Sequence, residues 1–147
     1  NLEILKFIKK ENSIKNIKIE TSENSINDIT SLLNSINYDL SKYIFYNHIK
    51  KGSIKFKLDT EFDIGNPKVY FYKISGFVKD AKLNLIGEGS VNSVNFNFDA
   101  REKLTKISNL NFDYKNLNLF SENIEIKKEK LDSYLIKGDI YLIWRSG

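Results

Sequence analysis

The chain has 147 residues, 41% of them hydrophobic and 13% aromatic. That is enough to bury a core as one domain, residues 1–147, and it excludes disorder. There is no cysteine, which excludes disulfides, thiolate metal sites and a cysteine nucleophile. The net charge of +4 is carried by lysines scattered among acids, and Arg101 and Arg145 are the only arginines, which excludes a concentrated arginine surface for reading phosphates and bases.

Leu2–Ile8 predicts a first strand and Ile17–Glu20 a short second one. The period then changes. Ile26, Ile29, Leu33, Ile36 and Leu40 recur at helical spacing, so a short amphipathic helix is expected over about residues 25–40, with Ser25 and Asp28 at its start. Tyr43–Ile49 has no clean period and reads as a loop or a short strand. Lys51-Gly52 predicts a turn that opens a β-repeat region, about residues 52–144.

Within that region Ile54, Phe56, Leu58, Thr60 and Phe62 alternate with Lys55, Lys57, Asp59 and Glu61. Successive strand side chains point to opposite faces, so Ser53–Asp63 has one apolar and one charged face. Gly65-Asn66-Pro67 is a turn signal. Lys68–Ile74 follows as a strand with Val69 and Phe71 on one side and Tyr70 and Tyr72 on the other. Gly76 introduces Phe77–Ile86, and Gly87-Glu88-Gly89 turns the chain. Asn92–Asp99, Ile107–Tyr114, Leu117–Phe120, Ile124–Lys127 and Ser133–Trp144 complete the strands, with a turn expected at Ala100–Lys103.

The segments between strands are too short for parallel crossovers. The expected fold is therefore mainly β: a curled antiparallel sheet, an open, taco-like β-groove, with one short helix near the N-terminus. The alternative is a closed β-sandwich.

Nothing along the chain assembles into a catalytic constellation. His48 is the only histidine and has no partner at ligand spacing. Gly87-x-Gly89 lacks the third glycine of a dinucleotide fingerprint, and a strand follows it. Asp59, Glu61 and Asp63 share their face with Lys55 and Lys57, which reads as solvated surface. No enzymatic activity, cofactor or metal is expected. The aromatic strands Val94–Phe98 and Leu110–Tyr114 have the residues of a base-stacking platform, but their alternation directs the rings inward, so no nucleic-acid partner is expected. No apolar run approaches the roughly 18 residues that span a bilayer. The chain contains no methionine and begins on strand-like sequence, so it is expected to be a piece of a longer polypeptide with any membrane anchor outside it.

Gly76-Phe77-Val78-Lys79-Asp80-Ala81-Lys82-Leu83-Asn84-Leu85 resembles the repeating strand of the AsmA-like envelope proteins, the group that includes TamB and YhdP. Val94–Phe98 looks like the strand that follows that motif. Ile107-Ser108-Asn109-Leu110-Asn111-Phe112 is similar to the family's leucine-any-asparagine-leucine strand. Tyr134-Leu135-Ile136-Lys137-Gly138-Asp139-Ile140 is similar to its closing strand, and Ile26–Leu40 to the short helix that precedes the repeats. Sparse glycine and proline and abundant lysine depart from the pattern.

The resemblance implies a segment of a bacterial envelope protein of the periplasm. Such a segment shields lipid acyl chains in an apolar β-groove, for intermembrane phospholipid transport or outer-membrane assembly. Its implied partners are phospholipid acyl chains, adjoining β-repeat segments of the parent chain and an outer-membrane assembly partner. The lipid-lining residues would be the apolar alternates Ile54, Phe56, Leu58, Phe62, Val94, Phe96, Phe98, Leu110, Phe112, Tyr114, Ile124, Ile126, Ile136, Ile140 and Leu142. The rival reading is a structural or interaction β-sandwich module of a surface protein with no ligand. Burial of those same residues by protein distinguishes the two.

Overall fold

The computed structural model describes residues 2–9, 14–29, 49–63, 70–85, 87, 89–130 and 133–143. They form ten strands: β1 (Leu2–Lys9), β2 (Ile14–Thr21), β3 (Asn24–Ser25), β4 (Ile49–Asp63), β5 (Tyr70–Leu85), β6 (Gly89–Arg101), β7 (Leu104–Tyr114), β8 (Leu117–Lys130), β9 (Ser133–Gly138) and β10 (Tyr141–Ile143). A single helical turn, α1, occupies 26–29. The rest of the expected helix, 30–40, lies outside the described residues, as do His48 and Gly65-Asn66-Pro67.

All ten strands belong to one antiparallel sheet in the order β1-β2-β4-β5-β6-β7-β8-β10. The short strand β3 pairs with β4 beside β2, and β9 pairs with β8 beside β10. Each outer pair is thus one interrupted strand. Among the described residues no pairing joins the first strand to the last, so the sheet is open, and the two stacked sheets of a closed sandwich are not formed.

At the interruption between β2 and β3, Thr21 stands in for backbone. Its Oγ1 accepts the Phe56 N–H at 3.0 Å and donates to the Phe56 carbonyl at 3.3 Å, with only 1% of the residue exposed. A buried backbone pair that loses its ladder partner is satisfied by a hydroxyl, which can do both jobs.

The strands are longer than their sequence punctuation suggests. The described parts of Lys68–Ile74 and Phe77–Ile86 belong to the one strand β5, running from Tyr70 to Leu85. Gly76 does not break it. A Cβ there would lie against the Lys55 carbonyl oxygen and 2.8 Å from the Phe56 Cα, so the glycine permits close approach of two strands rather than a turn. Leu117–Phe120 and Ile124–Lys127 likewise merge into β8. Lys51-Gly52 lies inside β4, where Gly52 has φ +122° and marks a bulge instead of a turn. In contrast, Ser133–Trp144 divides into β9 and β10, and Trp144 is outside the described residues.

Strands of 11 to 16 residues, β4 to β8, do not curl smoothly without local breaks in pleating. Those breaks form a staggered line across the sheet. Asp80 in β5, Ser93 in β6 and Asn109 in β7 have φ of 50°, 52° and 51°, and Gly52 precedes them in β4. At each, two polar residues separate apolar ones that share a face: Val78 from Ala81, Val91 from Val94, Ile107 from Leu110. In β8, Ser121 and Ile124 are spaced the same way and pair with Leu110 and Ile107. Asn95 ties the line together. Its Oδ1 accepts the Asp80 N–H at 3.1 Å, and its Nδ2 donates to the Ser93 carbonyl at 2.7 Å and to Asn111 Oδ1 at 3.1 Å.

A bulge bends its strand and sharpens the twist, so this line is where the sheet folds over its apolar face. The core lies along it. Ile49, Ile54, Phe56, Val78, Ala81, Val91 and Val94 are buried there together with Ile26 and Ile29 of α1.

The opposite face is polar and carries ion pairs between neighbouring strands, although Lys73 also stands opposite Arg101 in register. Lys18 pairs with Asp59 at 3.5 Å, Lys73 with Asp99 at 3.7 Å and Lys106 with Glu125 at 3.3 Å, and Glu125 stands opposite Lys137 in register. These pairs are half-exposed, so each stabilises by at most about 1 kcal/mol. Their effect is to keep one side of a continuous sheet wet.

Candidate functional site: the inner apolar face

Residues directly opposite on neighbouring strands share a face, so register alone traces the inner surface. One row runs Ile19, Leu58, Ile74, Ala100, Thr105, Ile126 and Ile136 across β2, β4, β5, β6, β7, β8 and β9. The next runs Phe56, Gly76, Phe98, Ile107, Ile124 and Gly138. A third begins Ile54, Val78 and Phe96. None of these positions carries a charge. Gly76 sits between Phe56 and Phe98, so a residue without a side chain separates two large rings. Phe96 and Phe98 meet at 6.2 Å between centroids, tilted by 58°.

Burial is graded along these rows. Ile54, Phe56 and Val94 are core residues, covered by the bend and by α1. Leu58, Phe96, Phe98, Leu110, Phe112 and Tyr114 are partly buried and pack against that core. Ile124 and Ile126 are half-buried. Ile136, Ile140 and Leu142 are exposed by 66%, 57% and 39%, so the face is bare towards β9 and β10. Phe62 lies in β4 with its backbone opposite Lys15 and Tyr70, and its side chain is outside the described residues.

The sequence-derived set therefore divides into floor, wall and open rim. At the rim Lys128 stands opposite Tyr134 in register, at the boundary between the apolar rows and water. Phe71 is turned away from this surface, being 62% exposed and opposite Glu61 in register.

Several residues of the face escape an alternation rule. Val78, Ala81, Val91 and Ile107 lie on either side of the bulges, where the spacing is three instead of two. The signal that finds them is an apolar-polar-polar-apolar run with Asp, Ser or Asn as the second polar residue, as in Val78-Lys79-Asp80-Ala81 and Ile107-Ser108-Asn109-Leu110. Asp and Asn are the non-glycine residues that best tolerate the left-handed region, and serine is the least suited of the three.

A depression of about 790 Å³ lies at the end of the sheet near the β7–β8 turn, lined by Ser90, Asn92, Asp113, Asn118, Leu142 and Ile143 among others. In its lining, Asn118 Nδ2 donates to Asp113 Oδ1 on the neighbouring strand at 2.8 Å. Among the described residues, no three His, Cys, Asp or Glu side chains cluster to hold a metal ion, and no helix is long and apolar enough to cross a membrane. What the inner face offers chemically is uncharged, non-directional shelter. No family model, curated protein or solved structure matches this chain.

Proposed function

We propose that the chain is a lipid-sheltering segment of a bacterial envelope protein of the AsmA-like kind. It holds acyl chains against the inner face of its curled sheet, on the way between membranes or during outer-membrane assembly. The observation that carries this reading is the bare end of an otherwise buried apolar face. The row that packs against the core at the bend, from Ile19 through Leu58 and Ile74, continues without a charge to Ile136, where nothing in the described residues covers it. A module needing only a core would end those rows in polar residues. Each buried methylene stabilises by about 0.8 kcal/mol, so a few exposed aliphatic side chains meeting one acyl chain suffice to retain it. The charged residues of the outer face keep the same sheet soluble from behind.

The test is native mass spectrometry of the purified chain with organic extraction of what travels with it. Stoichiometric phospholipid is expected. Ile136→Asp is expected to lose it while folding normally, because that position is already solvated and a carboxylate in an acyl path must be desolvated. Phe112→Asp is expected to lose it as well, with some loss of stability. A chain that is lipid-free and takes up no phospholipid from vesicles refutes the reading. The partner readings, adjoining repeat segments and an assembly factor, belong to this same proposal and fall with it.

A further inference from the structure

The outer edge of β9 is exposed and apolar on both faces. All six residues of β9 and all three of β10 are exposed, and the apolar ones face both ways: Leu135 on the charged side, Tyr134 and Ile136 on the inner side. Among the described residues β9 pairs only with β8. Natural edges are guarded by proline, bulges or charge; β9 has no proline and no inward-pointing charge, its single lysine, Lys137, lies on the outer face, and the register shift of the β8–β9 pair falls at the far end of the strand, between Lys128 and Lys130.

We propose that this edge pairs with the same edge of a second copy, antiparallel about a two-fold axis centred on Ile136. The register follows from complementarity. Centring on Lys137 would set two ammonium groups directly opposite each other, a repulsive cross-strand pair. Centring on Leu135 would leave Gly138 beyond the paired segment. Centring on Ile136 pairs residues 134–138 and leaves only Ser133 beyond the paired segment, so it keeps Gly138 inside: Ile136 meets its own copy, Lys137 meets Leu135, and Tyr134 meets Gly138. The last pair is the most telling. A Cβ on Gly138 would fall 2.8 Å from the Asn123 carbonyl oxygen and 2.9 Å from Ile124 Cγ1, so the glycine lets β9 lie close to β8 and shows Ile124 through the gap. A tyrosine ring from the opposing strand covers that gap, the aromatic rescue of an edge glycine. The inner faces of both copies then fall on one side, and the apolar row from Ile19 to Ile136 continues into its counterpart.

The experiment is sedimentation over a concentration series of the 147-residue chain, together with oxidative cross-linking of cysteine variants; the chain has no cysteine of its own. A monomer–dimer equilibrium is expected, shifted to monomer by Ile136→Lys. Ile136→Cys is expected to form a disulfide-linked dimer, because opposed Cα atoms in an antiparallel pair lie within disulfide reach. Lys137→Cys, opposite Leu135, is expected to cross-link far less. Three results overturn the proposal. One is a monomer up to the solubility limit. Another is open-ended oligomers in which the Ile136→Cys variant does not cross-link, which would indicate head-to-tail pairing with β1. The third is a monomer whose β9 amides are already protected from exchange, which would place a segment of the same chain on the edge.

Discussion

Gly76 and Gly87 look alike in a sequence and differ in what holds them. Gly87 has φ +76° and open space around its missing Cβ, whereas Gly76 is extended and faces the backbone of Lys55 and Phe56. Gly87→Ala therefore meets only the left-handed backbone penalty, about 1 kcal/mol. Gly76→Ala forces two central strands apart in the middle of the core and costs about 3 kcal/mol, the upper end for overpacking. Urea unfolding of the two variants checks the order. Equal losses would mean that β4 and β5 separate at this point without penalty. The distinction was not legible in the sequence, because both glycines punctuate the text identically and only the register shows Gly76 between Phe56 and Phe98.

The strands themselves were legible to the extent that their pleat is regular. Ser53–Asp63 alternates cleanly, and from Ser53 to Glu61 the side chains fall where a period of two puts them. Where the alternation changes phase, a rule of two reads one strand as two, as it does for Leu117–Phe120 and Ile124–Lys127 of β8, which keeps an unshifted register with β7 beside Asn109. Gly52 has the opposite effect: a glycine that serves a bulge is indistinguishable by composition from one that serves a turn. The inner face was accordingly found in its regular stretches, Phe96, Phe98, Leu110 and Phe112, and missed beside the bulges at Val78, Ala81 and Val91. The bulge line also yields a prediction with a sign. Ser93 holds φ 52° with a Cβ, at a cost of about 1–2 kcal/mol, which a glycine would not incur. Glycine adds about 0.5–1 kcal/mol of chain entropy to be lost on folding. Ser93→Gly should thus raise the urea midpoint by the equivalent of about 0.5–1 kcal/mol with an unchanged slope. Asn109→Gly should gain less, because asparagine tolerates that region better. A destabilised Ser93→Gly would show that the bend draws on the Ser93 side chain rather than on its backbone.

At the scale of the whole molecule, the bend and the bare end divide one sheet into regions of unequal stability. The described core residues gather where β4, β5 and β6 fold under α1, and the rows thin out steadily towards β9 and β10, where every residue is exposed. Local opening requires little free energy where few apolar contacts are broken, and approaches the global value where many are. Hydrogen exchange, measured at a dilution where the chain is monomeric, should therefore be slowest at Phe56, Val78 and Val94 and their neighbours, intermediate in β7 and β8, and fastest in β9 and β10. The ion pairs on the outer face should not flatten this gradient, since half-exposed pairs contribute little and weaken further in salt. Raising the protein concentration should slow exchange in β9 selectively if a second copy pairs there. Adding phospholipid vesicles should slow it over the inner rows of β7 and β8 as well, because acyl chains would cover the face and not only the edge. The two proposals thus leave different footprints on one molecule. Uniform exchange along all ten strands would contradict the division on which both depend, since it would mean that the bare end is as firmly held as the bend.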